Sequence, residues 1–239
     1  MSNFTPEQFA DLLEFLRTAD DLGFKNMILE KNKLRAAAES KAAVVVKTFE
    51  TPLFSGPDDY VIAITRIRAI LDRLRLVEDK APTLTLNQMD NKMYYKTMNV
   101  QSKYQQFDLR FGDPDTPKDE VPRGIKGEEV LTIQFVEEDI VSIADAARVF
   151  NPDNVWVHVS ASGARVEMID PAVAEKISIQ VVTPLEYKDV IGYKYSTDVF
   201  LKLINQKKVP VITATLYNNG LLKIPYRGID VHMLKRQGL

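Results

Sequence analysis

Residues 65–76 read TRIRAILDRLRL, and residues 197–208 read TDVFLKLINQKK. In both stretches apolar residues recur at intervals of three and four, the period of a helix that buries one side. These apolar positions are Ile67, Ile70, Leu71 and Leu74 in the first stretch and Val199, Phe200, Leu203 and Ile204 in the second. The sequence therefore predicts two amphipathic helices about 130 residues apart.

On either side of residues 65–76, the first half of the sequence predicts one earlier helix and a series of short strands. Thr5 is a suitable N-cap, Pro6 suits the first helical position and Gln8 completes a capping-box pattern, so a helix begins here and ends near Gly23. The strands predicted in this half are 26–30, 34–39, 43–48, one from Tyr60, 83–87, 92–99 and 106–111.

The second half of the chain repeats this order. It predicts a helix over 137–150 and another that begins after Ser196 and extends to Lys208, with a hairpin turn at 218–220. The predicted strands are 131–135, 155–160, 165–169, 176–182, one around Tyr193, 211–217, 222–226 and 229–234. Matching elements keep a steady offset, as the pairs Ile28 and Val157, Ala36 and Val166, and Leu84 and Ile212 illustrate.

A steady offset of this kind indicates a duplicated unit. Residues 112–127 are rich in Pro, Gly and charged side chains, a composition typical of a linker. We therefore predict an α+β fold with two similar domains, 1–111 and 128–239, each with two helices backed by antiparallel sheets, and a connector over 112–127 between them.

Composition narrows the classes of function. The chain carries a net charge of -2, contains no cysteine, and shows neither a membrane-spanning apolar run nor a secretory signal, so we expect a cytoplasmic protein. No catalytic or phosphate-binding motif occurs, and we expect neither an enzyme nor a cofactor. His158 and His232 lie in strand-like stretches without metal-ligand spacing, and the acids at 137–139 suit the start of a helix better than a metal site.

The repeated order of strands and helices, with a proline-containing connector between the halves, resembles the DNA polymerase sliding clamps, including proliferating cell nuclear antigen and the T4-like phage clamps. Three segments carry the resemblance at the residue level: 9–35 resembles the opening helix and hairpin of the family, 196–208 its last helix, and 220–224 with the terminal strand its ending. The resemblance implies a homotrimeric ring around duplex DNA. It implies a trimer because bacterial-type clamps use three domains per chain and this chain has room for two.

In the family the helices line the central hole, so cations are expected on their exposed faces. The resemblance makes eight residues candidates for DNA binding: Arg66, Arg68, Arg73, Arg75, Arg148, Lys202, Lys207 and Lys208. Asp72 is the single acidic residue among the arginines of residues 66–75. The first helix, by contrast, carries Asp11, Glu14, Asp20 and Asp21 against Arg17, which predicts a poor DNA-facing surface. A solvated basic face with no DNA role is the alternative.

The resemblance also implies the contacts of the ring with itself and with partners. Subunits would pair through two strand edges, Phe107, Leu109 and Phe111 in one and Ile177, Ile179 and Val181 in the other, unless both strands are internal. A partner-peptide pocket would be lined by Ala37, Val121, Ile125, Val231, Met233 and Leu234; for Val231 and Met233 a place in the core is an equal alternative. The expected partners are duplex DNA, a replicative DNA polymerase and a clamp loader.

Two other functions remain open at this stage. One is a monomeric clamp-fold scaffold or processivity subunit that binds partners or DNA without closing a ring. The other is an unrelated virion or structural protein built from a duplicated unit. The distance from the better-known clamps favours a phage or other viral protein.

Overall fold

The computed structural model describes residues 4–38, 41–50, 52, 54, 61–80, 82–88, 94–113, 115, 124–161, 163–181 and 191–236. The chain divides into two compact units, Met1–Ile125 and Lys126–Leu239. Most of the connector predicted over 112–127 lies outside the described residues, and its role stays a prediction.

The first unit contains two helices, α1 (Pro6–Asp21) and α2 (Ile67–Arg75), and a short 3-10 helix (Glu78–Lys80). Its strands are β1 (Phe24–Glu30), β2 (Lys33–Ala38), β3 (Ala43–Thr48), β4 (Val61–Ile64), β5 (Thr83–Gln88), β6 (Tyr95–Gln101) and β7 (Gln106–Arg110). They pair antiparallel in the orders β4-β1-β2-β3 and β5-β6-β7.

Helix α1 begins with the predicted capping box. The Thr5 N–H donates to the side-chain oxygen of Gln8 (2.7 Å), and the Gln8 N–H donates to the Thr5 hydroxyl (3.2 Å). These two bonds satisfy donors that the first turn of a helix leaves without an intrahelical partner. The helix ends at Asp21, before Gly23 with a φ of 72°. A positive φ at this point favours glycine, so the start and the end of α1 are both encoded locally.

The core of the first unit lies between its helices and its strands. Leu13 and Leu16 of α1, Leu71 and Leu74 of α2, and Met27 of β1 are all nearly inaccessible to solvent. The predicted apolar stripe of residues 65–76 is thus the buried side of α2.

The second unit contains helices α3 (Glu137–Phe150) and α4 (Thr197–Ile204). Its strands are β8 (Glu129–Val136), β9 (Asn154–Ser160), β10 (Gly163–Ile169), β11 (Lys176–Val181), β12 (Ile191–Ser196), β13 (Val211–Tyr217), β14 (Leu222–Tyr226) and β15 (Ile229–Met233). They pair antiparallel in the orders β11-β10-β9-β12 and β15-β14-β13-β8.

Buried aromatic side chains join elements in the core of the second unit. Phe135 of β8 and Phe200 of α4 are fully buried and meet edge to face, with ring centroids 5.8 Å apart. The buried Tyr195 hydroxyl donates to the Gly220 carbonyl oxygen (2.9 Å), which ties β12 to the turn between β13 and β14. The predicted turn at 218–220 is therefore held from inside the unit.

The predicted combination of helices and antiparallel sheets is confirmed, with four α-helices among the described residues. Several element boundaries were wrong. The last helix ends at Ile204 rather than Lys208, and the Ser196 side chain makes no capping hydrogen bond. Residues 92 and 93, where another strand was predicted to begin, lie outside the described residues, and the described strand begins at Tyr95. The 3-10 helix was not predicted. Glu39, Tyr60 and Val182, at the ends of three predicted strands, lie outside the described residues.

Candidate functional site

The exposed side of helix α2 concentrates arginine. Arg66 is the N-cap, Arg68, Arg73 and Arg75 follow within the helix, and all four side chains are exposed. Because Ile67, Ile70, Leu71 and Leu74 take the buried side, the cations have only the solvent side to occupy. The structure therefore places all four predicted arginines on the exposed surface of α2, as two pairs, one on either flank of the buried stripe.

Ion pairs divide this surface into two flanks. Arg68 contacts two carboxylates, through Nη1 to Oδ2 of Asp20 on α1 (2.6 Å) and through Nε to Oδ2 of Asp72 (3.2 Å). Arg75 Nη1 lies 3.3 Å from Oδ1 of Asp72. Hydrogen bonding to Asp20 is the main reason why the pKa of Arg68 is raised. We call Arg68, Arg75, Asp20 and Asp72 the paired flank; its formal charges sum to zero.

Arg66 and Arg73 form the open flank. Within the described part of the chain neither side chain makes an ion pair or a hydrogen bond. They are seven residues apart, which is about two helical turns, so they project on the same side of α2. The open flank keeps two full positive charges.

Helix α1 presents the acidic surface that its sequence predicts. Asp11 is exposed, and Arg17 is engaged by Glu14 (3.4 Å) and by Glu78 of the 3-10 helix. Hydrogen bonding to Glu78 raises the pKa of Arg17. The one cation of α1 is therefore held by carboxylates.

Helices α3 and α4 of the second unit each carry fewer cations than α2. Arg148 is exposed, but its Nη2 lies 3.0 Å from Oδ1 of Asp145, one helical turn away. Lys202 is exposed on α4, whereas Lys207 and Lys208 lie in the turn that follows this helix, because α4 ends at Ile204. The predicted cations of this unit thus belong to two helices and a turn rather than to two helices alone.

Both strands predicted to pair between subunits lie at the edge of a sheet. Strand β7 is hydrogen-bonded to only one strand of its sheet, β6, and β11 is hydrogen-bonded to only one strand of its sheet, β10. Phe107 and Phe111 are half-buried and Leu109 is fully buried between them; Ile177 and Ile179 are likewise half-buried and Val181 fully buried. Within the described sheets, therefore, neither strand is internal, and each carries a partly exposed apolar face.

Solved structures resemble this arrangement over almost the whole chain. A protein of Eubacterium rectale assigned as a DNA polymerase III beta subunit matches with a TM-score of 0.68 at 10% identity, over 97% of this chain and 64% of its own. PCNA of A. fulgidus, bound to the C-terminal region of FEN-1, matches with a TM-score of 0.61 at 17% identity, over 100% of this chain and 98% of its own. The Helicobacter pylori beta clamp bound to a DNA ligase peptide matches with a TM-score of 0.63 at 12% identity, over 99% and 65%.

This chain has the sliding-clamp fold. It spans about two thirds of the length of the two bacterial proteins and nearly all of the PCNA chain. No protein-family model and no curated protein matches the sequence. The likeness found by these comparisons is therefore one of structure, at identities of 10–17%.

On this sliding-clamp fold the predicted partner-peptide residues occupy unequal positions. Val231 and Met233 are fully buried, on the face of β15 that also carries Ile229, and so take the core alternative. Ala37 is buried in β2, Ile125 and Leu234 are half-buried, and Val121 lies outside the described residues. Partner binding through these positions stays a prediction.

The other face of the same sheet carries a polar cluster that the sequence did not reveal. The Tyr217 hydroxyl and the Lys223 Nζ both donate to Oε1 of Glu129, at 3.0 and 2.5 Å. The hydrogen bond from Lys223 is the main cause that holds the pKa of Glu129 below its usual value, and the bond from Tyr217 is the next largest. His232 packs beside Tyr217 (ring centroids 5.9 Å), and its burial lowers its pKa. The alternation of side chains along β13 to β15 could have predicted that Tyr217, Lys223 and His232 share one face of the sheet. It could not have predicted the hydrogen bonds to Glu129.

A separate open groove of about 830 Å³ borders α1 and is lined by Phe4, Pro6, Phe9, Ala10, Asp11, Leu13, Glu14, Arg17, Glu78 and Pro82. None of the predicted pocket residues is among these described lining residues. No described cluster of His, Asp and Glu could hold a metal ion. Among the described residues, no helix has both the length and the hydropathy that a membrane crossing demands.

Proposed function

We propose that this chain is a DNA polymerase processivity factor, a sliding clamp that encircles duplex DNA as a homotrimeric ring. One observation carries the proposal: the chain superposes over its whole length on PCNA, and covers 98% of that protein. The sequence left a monomeric clamp-fold scaffold as an alternative. Every observation that fits such a scaffold fits a subunit of a ring equally well.

The strand orders support two copies of one unit per chain. Four strands of the first unit pair in the order β4-β1-β2-β3, and four strands of the second pair in the order β12-β9-β10-β11. In both units a helix precedes the four strands, a second helix follows them, and three more strands end the unit. Two units per chain are what a trimer of the PCNA type requires.

The two strand edges supply the means of closure. An open edge presents unsatisfied N–H and C=O groups, to which a strand of another copy can add. We propose that β7 of one copy pairs with β11 of the next, with Phe107 and Phe111 packing on Ile177 and Ile179. Because the two edges differ, the contact is head-to-tail and closes into a ring if the angle is right.

The charge distribution suits loose contact with DNA. The chain as a whole has a charge of -2, so it has no bulk attraction to DNA, and the cations proposed to contact DNA lie on or next to helices α2, α3 and α4. Contacts of arginine and lysine with phosphate give affinity without base recognition, which permits movement along the duplex. A closed ring stays on DNA by topology and needs no tight binding.

A clamp acts by tethering other proteins, and we propose this role here, without catalysis by the chain itself. The A. fulgidus and H. pylori neighbours are bound to segments of FEN-1 and of DNA ligase. By analogy, this chain would bind short peptides of a replicative polymerase, of other replication proteins and of a clamp loader. Its place of action would be the cytoplasm, that of the host cell for a phage protein.

Light scattering coupled to gel filtration tests the ring. The chain has a mass of 27.1 kDa, and we expect particles of three times this mass at micromolar concentration. Ile179→Asp places a carboxylate in the half-buried apolar face of the β11 edge and should reduce the mass to that of the monomer.

Gln180→Glu is the matched control, because it adds the same charge to the other face of β11, opposite Arg165 of β10. It should leave the mass unchanged. A wild-type chain that stays monomeric, or an Ile179→Asp chain that remains trimeric, would contradict the proposed interface.

A further inference from the structure

Carboxylates engage several of the arginines on the described helices. Arg17 of α1 is held by Glu14 and Glu78, Arg68 and Arg75 of α2 by Asp20 and Asp72, and Arg148 of α3 by Asp145. Arg66 and Arg73 of the open flank lack such a partner in the described part of the chain. The contrast lies within one helix and is set by two aspartates.

We propose that Asp20 and Asp72 compete with DNA phosphate for Arg68 and Arg75, so that α2 holds the duplex mainly through Arg66 and Arg73. The inference rests on the proposed function, since it takes DNA as the ligand of α2. It assigns to two acidic residues the task of keeping the clamp loosely bound.

The geometry makes Asp20 an effective competitor. It comes from a different helix, its side chain is only 20% exposed, and its Oδ2 lies 2.6 Å from Arg68 Nη1. A part-buried carboxylate cannot swing far from the guanidinium, whereas a phosphate arriving from solvent must displace it or share the remaining donors. Charged hydrogen bonds of this length are the strong ones.

Asp72 acts on both arginines of the paired flank. It lies four residues after Arg68 and three before Arg75, so its two oxygens reach one guanidinium each, at 3.2 and 3.3 Å. Its own side chain is half exposed and would repel an approaching phosphate. The paired flank thus offers DNA no net charge, whereas the open flank offers two cations.

Removal of either aspartate should therefore strengthen DNA binding. The measurement is fluorescence anisotropy of a short fluorescein-labelled duplex with the full chain, over a series of NaCl concentrations. At low salt we expect Asp20→Asn and Asp72→Asn to tighten binding by roughly three- to tenfold, and the slope of log K against log salt to steepen by about 1 to 2, since each phosphate newly neutralised adds about 0.9.

Asp11→Asn is the matched control. It removes the same charge from α1, but Asp11 makes no hydrogen bond or ion pair with an arginine in the described chain, so affinity should stay close to that of the wild type. Arg66→Ala with Arg73→Ala should weaken binding more than Arg68→Ala with Arg75→Ala. In the latter double variant the gain from Asp72→Asn should shrink to the small part that comes from removing its own charge, because the rest of the effect acts through those two arginines.

Equal affinities for Asp20→Asn, Asp72→Asn and Asp11→Asn would overturn the inference, as would a larger loss from the paired flank than from the open one. If the wild type binds the duplex and the Asn variants bind it no better, the inference alone fails. If neither the wild type nor any Asn variant binds at the lowest salt, the inference also fails, and the oligomer mass from light scattering decides the proposed function separately. Circular dichroism checks the fold, and Asp72→Ser replaces Asp72→Asn if the latter loses helix signal.

Discussion

In the first unit, ion pairs at the surface join α1 to α2 and to the 3-10 helix, through Arg68 with Asp20 and Arg17 with Glu78. In the second unit, the last helix and β12 are tied in by buried aromatic groups, through Phe135 with Phe200 and the Tyr195 hydroxyl with Gly220, while ion pairs such as Lys223 with Glu129 join strands. Helices of the two units are thus secured by different chemistry. The difference teaches that the fold depends on which positions are buried, while exposed positions are free to take on a charge pattern of their own.

The largest effect should come from the aromatic core of the second unit. Phe200→Ala removes a fully buried ring and its contact with Phe135, so we expect the free energy of unfolding to fall by about 3–5 kcal/mol. Urea denaturation followed by the fluorescence of Trp156, the single tryptophan and a residue of β9, measures it. Leu201→Ala, at a half-buried neighbour, should lower the free energy of unfolding clearly less. An equal loss in the two variants would show that the contact of Phe200 with Phe135 contributes no special stability.

The two first helices of the units offer a smaller comparison. Thr5→Ala removes the reciprocal capping box of α1 and should lower the free energy of unfolding by about 1 kcal/mol. At the start of α3 the Val136 N–H donates to Oδ2 of Asp139 (3.1 Å), but valine itself has no capping group. Val136→Ala should therefore cost less than Thr5→Ala in matched urea titrations. The reverse order would mean that capping does not distinguish the helices.

A pH dependence should be the mildest difference, and it belongs to the second unit because both histidines lie there. Burial is the main cause that lowers the pKa of His232; Lys223 lowers it further, while Asp230 and Glu129 oppose the shift. A histidine with a lowered pKa in the folded state binds its proton more readily when unfolded. Stability should therefore be unaffected above the ordinary value of 6.5 and fall as the pH drops below it.

His232→Phe tests this dependence and keeps a ring beside Tyr217. Its free energy of unfolding should fall less than that of the wild type between neutral and mildly acidic pH, in urea titrations read by Trp156 fluorescence. An unchanged pH profile would assign the dependence to other groups, such as His158, whose pKa burial also lowers.

The sequence predicts most of the elements because their signals are local. Thr5, Pro6 and Gln8 mark the start of α1, and helix 137–150 and strands 211–217 and 222–226 have the predicted bounds. The helix that begins at Thr197 stops early for a reason that local pattern does not contain. The side-chain amide of Gln206 donates to the carbonyl oxygens of Leu203 and of Pro225 in β14, and Lys208 has a φ of 67°, so the chain leaves the helix to meet the sheet.

The candidate site was predictable only in part, for a similar reason. The spacing of Arg68, Asp72 and Arg75 allows both ion pairs of Asp72 to be expected from sequence. The pair of Arg68 with Asp20 joins residues 48 positions apart and depends on how two helices pack. Whether Val231 and Met233 face the core or a partner likewise depends on the register of β15, which the alternating pattern leaves undecided.

Electron microscopy of the purified chain with duplex DNA tests the ring most directly. Class averages should show closed rings of three copies, with the helices lining an opening that holds the duplex. Single subunits, open chains of subunits, or rings whose helices lie on the outer surface would contradict the account.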